Sequence, residues 1–453
     1  MKTPRFLLCA TGSGSGKTTV TCGLLQALKE RGLRPAAFKC GPDYIDPMFH
    51  STVIGAKSRN IDTFFSGDLA PGLMARAARD CDISVIEGVM GYYDGIADST
   101  DASTYDVAVR TRTPAVLLVN AAGMSVSAAA IVKGFVQLMP ESMIRGVILN
   151  KMAPSIYPEI KAVIEEKTGV RVYGYVPKLP ELMIESRHLG LVRPGEVEGL
   201  REKLHALAGE LEKTVDVDGL LALAATAPDI DLTAPDLPQV GTGLRIAVAR
   251  DEAFCFYYED NMTALRDMGA EIVEFSPIRE EKLPENCQGL LLGGGYPELH
   301  AQQLSENEAM RRSVCQALAA GMPCIAECGG FMYLHETVEY PAGMRYPMCG
   351  VIPGMVYYTG KLGRFGYIEL TANEDSILGP AGTKLRGHEF HYFDSTDNGE
   401  ALTARKPRRK RNWQCAHARG NLLCGFPHLY FYSNPNCAQS FLEACAAFGR
   451  SQA

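Results

Sequence analysis

Near its start the chain reads Phe6-Leu-Leu-Cys-Ala-Thr-Gly-Ser-Gly-Ser-Gly-Lys-Thr-Thr-Val20, an apolar run followed by alternating glycines and Lys-Thr. The apolar residues 6–10 predict a short buried strand, and residues 20–29 have the character of a helix. The glycines allow a tight loop whose backbone N–H groups point inward. Such a loop at a helix N-terminus holds phosphate, with Lys17 neutralising the outer phosphates and the Thr18 hydroxyl reaching Mg²⁺.

This loop departs from the ordinary P-loop spacing, because Thr11 stands where the first glycine is expected. A Gly/Ser turn between a strand and a helix is the alternative interpretation. The order of strand, glycine loop, Lys-Thr and helix favours phosphate binding. The predicted phosphate-binding residues are Gly12, Ser13, Gly14, Ser15, Gly16, Lys17, Thr18 and Thr19.

Length and composition indicate a soluble protein of two or three domains. The chain has 453 residues, of which 46% are hydrophobic and 21% charged, as in ordinary globular proteins. A net charge of −7 argues against a nucleic-acid binder. No run is long enough for a membrane span or a signal peptide. The 14 cysteines form no C-x-x-C pair, so we expect reduced thiols and a cytoplasmic location.

Short apolar runs alternate with helical segments in the first part of the chain. The runs are residues 35–40, 83–86, 114–119, 146–149 and 173–176. This alternation predicts a parallel sheet with right-handed crossovers, whose ligands lie at the carboxyl ends of the strands. The polar residues that follow the strands are Asp43, Asp46, Glu87, Asp94 and either Asn120 or Asn150. We expect them to converge on the phosphate loop, and we assign Asn150 to the nucleotide site.

Each of these acids has a structural alternative, since aspartates in turns usually bond to nearby backbone. Glu87 ends an apolar strand and precedes a glycine, a position that resembles the acidic Mg²⁺ ligand of P-loop enzymes. Together with Lys17 and Thr18, the acids supply the oxygen ligands that Mg²⁺ needs beside phosphates.

Three segments resemble signatures of the cobyrinate a,c-diamide synthases. They are Cys40-Gly-Pro-Asp-Tyr-Ile-Asp-Pro47, Glu87-Gly-Val-Met-Gly-Tyr-Tyr-Asp-Gly95 and Arg187-His-Leu-Gly-Leu191. The resemblance covers essentially the whole chain. It implies an ATP-binding domain similar to dethiobiotin synthetase, joined to a glutamine amidotransferase domain. The implied Mg²⁺ ligands are Thr18, Asp43 and Glu87, and the implied residues at the corrinoid substrate are Tyr44, Asp46 and Asp94.

The expected fold class is α/β, with two three-layer domains of mainly parallel sheets. The first is a P-loop NTPase-like domain at residues 1–195, and the second is a class I glutamine amidotransferase-like domain at residues 244–448. Residues 196–213 are charged and have helical spacing, and residues 216–240 are rich in Asp, Ala and Pro, which suits an exposed connection. We therefore assign residues 196–243 to a linker. Residues 244–249 are again an apolar strand.

Cys328 lies at a second strand-to-helix turn, where an apolar strand is followed by Cys-Gly-Gly. This arrangement predicts a nucleophile at a sharp turn, with the helix start favouring the thiolate. The loop after residues 289–292 offers Gly294 and Gly295 as an oxyanion hole. His428 near the C-terminus supplies the base. The alternative interpretation of Cys328 is a buried core cysteine like Cys324.

Class I amidotransferases usually have His-x-Glu at this last motif, whereas this chain has His428-Leu-Tyr430. The third member of a triad is therefore absent at its usual position, and we predict a Cys–His dyad. The segment Gly387-His-Glu-Phe-His391 is a family segment that we assign to structural or domain-interface duty.

The predicted reaction combines both halves of the chain. Glutamine hydrolysis releases ammonia, Mg-ATP phosphorylates a tetrapyrrole carboxylate, and ammonia displaces the phosphate to give an amide. Two carboxylates, a and c, are amidated in turn.

The expected partners are these small molecules and a possible second copy of the chain, without nucleic acid or membrane. Alternative substrates are hydrogenobyrinate and nickel-sirohydrochlorin. A P-loop switch or partitioning ATPase is the alternative of a different class, and it leaves Cys328 and His428 unexplained.

Overall fold

The chain divides into two units, Met1–Pro235 and Asp236–Ala453, in a computed structural model. The model describes residues 1–182, 184, 194–231, 235–341 and 343–452. Each unit has its own sheets and its own hydrophobic core. The predicted α/β fold class is confirmed.

The first unit is built on one seven-stranded parallel sheet in the order β3-β2-β4-β1-β5-β6-β7. Its strands are β1 Arg5–Ala10, β2 Pro35–Cys40, β3 Lys57–Ile61, β4 Ile83–Glu87, β5 Ala115–Asn120, β6 Ile144–Asn150 and β7 Arg171–Val176. Its helices are α1 Lys17–Glu30, α2 Ile45–Phe49, α3 Thr63–Ser66, α4 Ala70–Ala77, α5 Thr104–Arg110, α6 Ser127–Gln137, α7 Tyr157–Thr168, α8 Pro194–Thr214 and α9 Val217–Ala225. A π-helix spans His50–Ile54.

Strand β1 is buried on both faces because its apolar run is continuous. Phe6 and Leu8 belong to one core cluster, and Leu7 and Cys9 to the cluster on the opposite face. A central strand of a parallel sheet needs apolar residues at every position for this reason. The carboxyl ends of β1, β2 and β4 consequently lie side by side, and they bring the phosphate loop and the predicted acids to one edge.

Residues 196–243 differ from the predicted linker. They include most of α8 and all of α9, both of which belong to the first unit. Leu204, Leu207 and Leu211 are fully buried in the same core as β1. Their helical spacing, which the sequence also indicates over residues 196–213, places the three leucines on one apolar face. The division between the units falls after Pro235.

The second unit contains a six-stranded sheet in the order β20-β21-β11-β10-β8-β9, parallel except for β20. Its strands are β8 Arg245–Ala249, β9 Glu271–Phe275, β10 Gly289–Leu292, β11 Cys324–Glu327, β20 His417–Arg419 and β21 Leu422–Gly425. The helices of this unit are α10 Glu259–Asp267, α11 Ala301–Glu306, α12 Glu308–Ala319, α13 Gly329–Leu334 and α14 Pro435–Gln452.

The sequence did not predict two further sheets, whose strands lie between β11 and β21 in the chain, except for β22, which follows β21. One contains β12 His335–Glu339, β13 Arg345–Pro347, β14 Ile352–Tyr358 and β17 Phe393–Ser395. The other is antiparallel and contains β15 Phe365–Ala372, β16 Lys384–Phe390, β18 Leu402–Arg405, β19 Asn412–Cys415 and β22 His428–Tyr430. Burial alternates along the second half of β15, as expected for a strand covered on one face. The last of these strands carries His428.

Candidate active sites

The phosphate loop joins β1 to α1 in the predicted order. Gly14 and Gly16 have φ angles of 74° and 95°, and the Ser15 hydroxyl donates to Gly12 O at 2.8 Å. A β-carbon at Gly16 would lie 2.4 Å from Asn150 Nδ2, so this position has room only for glycine. The loop therefore has the left-handed turns that let its amides face a common point.

Lys17 and Asn150 contact the loop from different directions. The Lys17 ammonium donates to Gly12 O at 3.2 Å and to Met90 O at 2.6 Å. Asn150 Nδ2 donates to Ser15 O at 2.8 Å, and Asn150 Oδ1 accepts from Lys151 N at 2.9 Å. Asn150 is thus placed to hold the loop backbone, while the cationic end of Lys17 lies between the loop and the segment after β4.

A buried charged cluster lies behind Thr18, and we call its members Lys39, Asp46, His50 and Glu87 the Lys39 cluster. Glu87 Oε1 accepts from Thr18 Oγ1 and from Lys39 Nζ, each at 2.7 Å. Lys39 Nζ also lies 2.6 Å from Asp46 Oδ2, and His50 Nε2 lies 3.5 Å from Glu87 Oε2. All four members are buried. One ammonium therefore bridges two carboxylates in a site with little water.

Charge balance inside the Lys39 cluster keeps Glu87 ionised. Burial alone would raise the pKa of the Glu87 carboxyl, but the Lys39 ammonium and then His50 outweigh it and hold that pKa below its usual range. Burial and the neighbouring Glu87 charge raise the pKa of Asp46 to about 7, against the opposing effect of Lys39. Glu87 is consequently the member of the cluster that carries a firm negative charge.

The other predicted acids contact backbone of their own loops. Asp43 Oδ1 accepts from Ile45 N at 2.8 Å and from Asp46 N at 3.1 Å. These two backbone amides belong to the first turn of α2. Asp94 Oδ2 accepts from Gly91 N at 2.9 Å. Asp46, predicted at the substrate, is 4% exposed and ion-paired with Lys39, and Tyr44 is buried as well. Asp94 is exposed, so its side chain is the more accessible of the two predicted substrate acids.

The donor set beside the phosphate loop fits Mg²⁺. Thr18 and Glu87 supply a hydroxyl and an ionised carboxylate, which are hard oxygen ligands. Within the described ranges, no three His, Cys, Asp or Glu side chains gather around a common metal position. Such a site suits an ion that takes its other ligands from nucleotide phosphates and water, as Mg²⁺ does.

Cys328 lies at a strained turn between β11 and α13. Its φ is 46° and its ψ is −99°, a conformation that non-glycine residues rarely adopt. Cys328 N donates to Gly425 O at 2.8 Å, and Gly330 N donates to Gly293 O at 2.9 Å. These bonds fix the turn against the two neighbouring strands. A strained residue held in this way is typical of a functional nucleophile.

The glycine loop after β10 lies between this turn and His428. A β-carbon on Gly294 would lie 2.5 Å from His428 Cε1, and one on Gly329 would lie 3.1 Å from Gly295 N. A β-carbon on Gly295 would lie 2.1 Å from Ala253 O. The loop thus brings the predicted oxyanion donors, the nucleophile turn and the histidine together.

Burial opposes ionisation of the Cys328 thiol. It raises the pKa of that thiol, and the charge of Glu298 raises it further, whereas the amide of Gly329 lowers it. The helix start therefore acts in the predicted direction, but it does not outweigh burial. Burial also raises the pKa of Glu298 to about 7. The thiol consequently needs a base to become a thiolate.

His428 is fully enclosed within the second unit. Its ring stacks on that of His388 with 4.8 Å between the centroids, and Tyr258 Oη lies 2.9 Å from His388 Nδ1. Burial lowers the pKa of His388, so this neighbour is a neutral ring. His428 Nδ1 lies 3.7 Å from Glu327 Oε2. His388, which the sequence assigned to a structural role, therefore forms one wall of the histidine site.

Two family models match the chain, one over each unit. Residues 6–191 match the CobQ/CobB/MinD/ParA nucleotide binding domain, and residues 245–436 match the CobB/CobQ-like glutamine amidotransferase domain. The chain is 40% identical to "Cobyrinate a,c-diamide synthase" of Caldanaerobacter subterraneus subsp. tengcongensis, over 98% of this chain and 99% of that one. The chain belongs to the cobyrinate a,c-diamide synthase family. Members from Priestia megaterium and Salmonella typhimurium are each 41% identical to it, covering 99% and 97% of this chain and 98% and 97% of theirs.

Membership in the cobyrinate a,c-diamide synthase family makes the protein a carbon–nitrogen ligase with glutamine as amido donor, and it confirms the resemblance seen in the sequence. The nucleotide-binding domain supports the use of ATP. A partitioning ATPase would have no use for the second domain, so that alternative is set aside. Among the helices of the described residues, none is both long and apolar enough to cross a membrane.

This family member also has site residues that the sequence analysis missed. Lys39 lies within an apolar strand and Glu327 ends one. These charges were the available signal, since charged residues are seldom buried unless paired. The family segment Arg187-His-Leu-Gly-Leu191 lies outside the described residues.

A substitution of Gly294 by alanine tests whether the glycine loop belongs to the glutamine site. The new β-carbon would lie 2.5 Å from His428 Cε1, so the imidazole must move. We expect the rate of glutamine hydrolysis to fall about a hundredfold, with ammonia-supported amidation retained. Gly363→Ala is the matched control, because its nearest neighbour is 3.6 Å away. Full glutaminase activity in Gly294→Ala would contradict the assignment.

Proposed function

We propose that this enzyme amidates the a and c carboxylates of cobyrinate, each through an acyl phosphate, with ammonia taken from glutamine. One observation supports the proposal: the candidate groups for each half of this chemistry lie in a separate unit. The phosphate loop with Thr18 and Glu87 lies in the first unit, and Cys328 with its glycine loop and His428 lies in the second. The name shared by the relatives supports the choice of substrate.

The first unit activates the carboxylate. A carboxylate is a poor electrophile, so one of its oxygens attacks the γ-phosphorus of ATP, ADP leaves, and an acyl phosphate forms. The loop amides and Lys17 hold the phosphates in line. Thr18, Glu87 and Asp43 would hold Mg²⁺, which would supply positive charge beside the phosphates. Lys39 fixes the Glu87 carboxylate, since its ammonium donates to Glu87 Oε1 at 2.7 Å.

The second unit produces ammonia from glutamine. His428 takes the thiol proton of Cys328, and the sulfur attacks the side-chain amide carbon. The amides of Gly294 and Gly295 stabilise the resulting oxyanion. His428 then gives its proton to the departing ammonia, and water hydrolyses the thioester to glutamate. Ammonia attacks the acyl phosphate carbon, phosphate leaves, and the amide forms. Two turnovers consume two ATP and two glutamines.

Asp94 and Asp46, the two aspartates predicted to contact the substrate, have different roles in this proposal. Asp94 is exposed in the loop that follows β4, where its Oδ2 accepts from Gly91 N, so it orients the tetrapyrrole directly. Asp46 acts through the Lys39 cluster, because its carboxylate is buried against the Lys39 ammonium. Tyr44 directly follows Asp43 in the same loop, and in this proposal it supports the substrate from the side of that loop.

Mass spectrometry of the product tests the proposed substrate. With cobyrinate, ATP and glutamine we expect a product in which two carboxyl hydroxyls have been replaced by amino groups. Hydrogenobyrinate and nickel-sirohydrochlorin are tested in parallel, because they offer the same pair of carboxylates. Diamidation of one of these two acids without any product from cobyrinate would contradict the substrate assignment while leaving the two-site chemistry intact.

A further inference from the structure

The position that usually supplies the third member of the triad is occupied by Tyr430. Its hydroxyl donates to Asp260 Oδ2 at 2.7 Å, and the Tyr430 ring packs edge-on against Tyr258. Tyr430 is thus committed to a buried contact with α10. A carboxylate that orients His428 has to come from another part of the unit.

Glu327, which directly precedes Cys328 in the sequence, places a carboxylate beside His428. Its Oε2 lies 3.7 Å from His428 Nδ1, and its Oε1 accepts from Leu429 N at 3.1 Å. The second contact ties the carboxylate to the backbone of the residue that follows the histidine. Its side chain is only 13% exposed, so few water molecules compete for it. Both oxygens therefore face the His428 segment.

We propose that Glu327 is the positioning residue of the glutaminase site, so that the site is a triad with its acid directly before the nucleophile. The proposal rests on the roles proposed above for Cys328 and His428. Glu327 Oε2 accepts the proton on His428 Nδ1, which leaves Nε2 as the base for the Cys328 thiol. When Nε2 takes that proton, the carboxylate stabilises the imidazolium, and it never has to be protonated itself.

The geometry around the turn supports this assignment. Glu327 is the last residue of β11 and Cys328 is the strained turn residue. Strand β11 pairs with β21, with Glu327 opposite Gly425, and His428 follows three residues after that glycine. The acid and the nucleophile thus share one rigid strand end. A separation of 3.7 Å between Glu327 Oε2 and His428 Nδ1 is compatible with this role, because catalytic hydrogen bonds often shorten only when substrate binds.

The experiment compares Glu327→Gln, Glu327→Asp and Cys328→Ala in the full-length enzyme. The amide side chain introduced by Glu327→Gln has a single oxygen. That oxygen can accept a hydrogen bond from Leu429 N or from His428 Nδ1, but not from both. For Glu327→Gln we expect kcat of glutamine hydrolysis to fall about a hundredfold, with KM within about twofold and unchanged ammonia-supported amidation. Glu327→Asp keeps the charge and should retain more activity than Glu327→Gln. Asp260→Asn is the matched control, since it alters a neighbouring buried carboxylate that contacts Tyr430.

The outcomes separate this inference from the proposed function. If Glu327→Gln keeps its full kcat while Cys328→Ala has none, Glu327 does not position the histidine. A loss in Glu327→Gln that extends to ammonia-supported amidation would also overturn the inference, because it indicates damage to the fold. If Cys328→Ala still hydrolyses glutamine, the proposed glutaminase site itself is wrong.

Discussion

Cys328→Ala is expected to lose all glutamine-dependent amidation and to recover it with free ammonia. The sulfur at the strained turn is the proposed nucleophile, and no other group at that turn can form the thioester. The phosphate loop, Thr18 and Glu87 lie in the other unit, so acyl phosphate formation needs no sulfur. An ammonium salt at a pH high enough to leave ammonia unprotonated should then replace the glutaminase entirely.

The measurement is the amount of amide formed per hour from glutamine and from an ammonium salt, in parallel reactions. Cys324→Ala is the matched control, because this cysteine is fully buried in the same strand β11 and has no proposed chemical role. A folded Cys328→Ala enzyme that fails with both nitrogen sources would show that the cysteine serves the ligase step or its assembly. The two-site chemistry would then be rejected.

Glu87→Gln is expected to abolish amidation from either nitrogen source and to leave glutamine hydrolysis largely intact. The change removes a negative charge that faces Thr18 Oγ1 and Lys39 Nζ at 2.7 Å each. A neutral amide is a far weaker ligand for Mg²⁺ than a carboxylate. We expect a loss of at least about a hundredfold in amide formation. Phosphate release and amide product are measured together.

Thr18→Val serves as a second variant, because the buried ion pairs of the Lys39 cluster remain in place when only the hydroxyl is removed. It should also lose Mg-dependent ATP use, with a thermal midpoint close to that of the parent. The two variants distinguish a lost ligand from a disturbed cluster. If Glu87→Gln amidates at the parent rate, Glu87 is structural and its assignment to Mg²⁺ is wrong.

The backbone of both candidate centres could be predicted from the sequence, because short motifs determine local geometry there. The glycines around Lys17 and the Cys-Gly-Gly turn specify their own backbone conformations, so pattern alone predicted these two turns. The approach of Thr18 to Glu87 followed from one further rule, that neighbouring parallel strands end at the same edge. These predictions needed no knowledge of side-chain packing.

The partners of the predicted acids could not be obtained in this way. Asp46 is predicted at the substrate, but the structure pairs it with Lys39, whose side chain comes from a different strand. Glu327 was missed because its closeness to His428 depends on how β11 and β21 align. These pairs depend on the strand register and on which charged groups are buried together. A single short motif specifies neither of these.

Helix α8 bears on how the enzyme can be taken apart. A β-carbon on Gly23 of α1 would lie 2.8 Å from Leu207 and 2.6 Å from Leu211 of α8. The two helices are therefore in close contact. Helix α1 begins at Lys17. A fragment ending at residue 195 would strip the leucines from this helix and leave a broad apolar surface open to aggregation. An ATP-binding half made for crystallography or binding studies therefore has to run to Pro235.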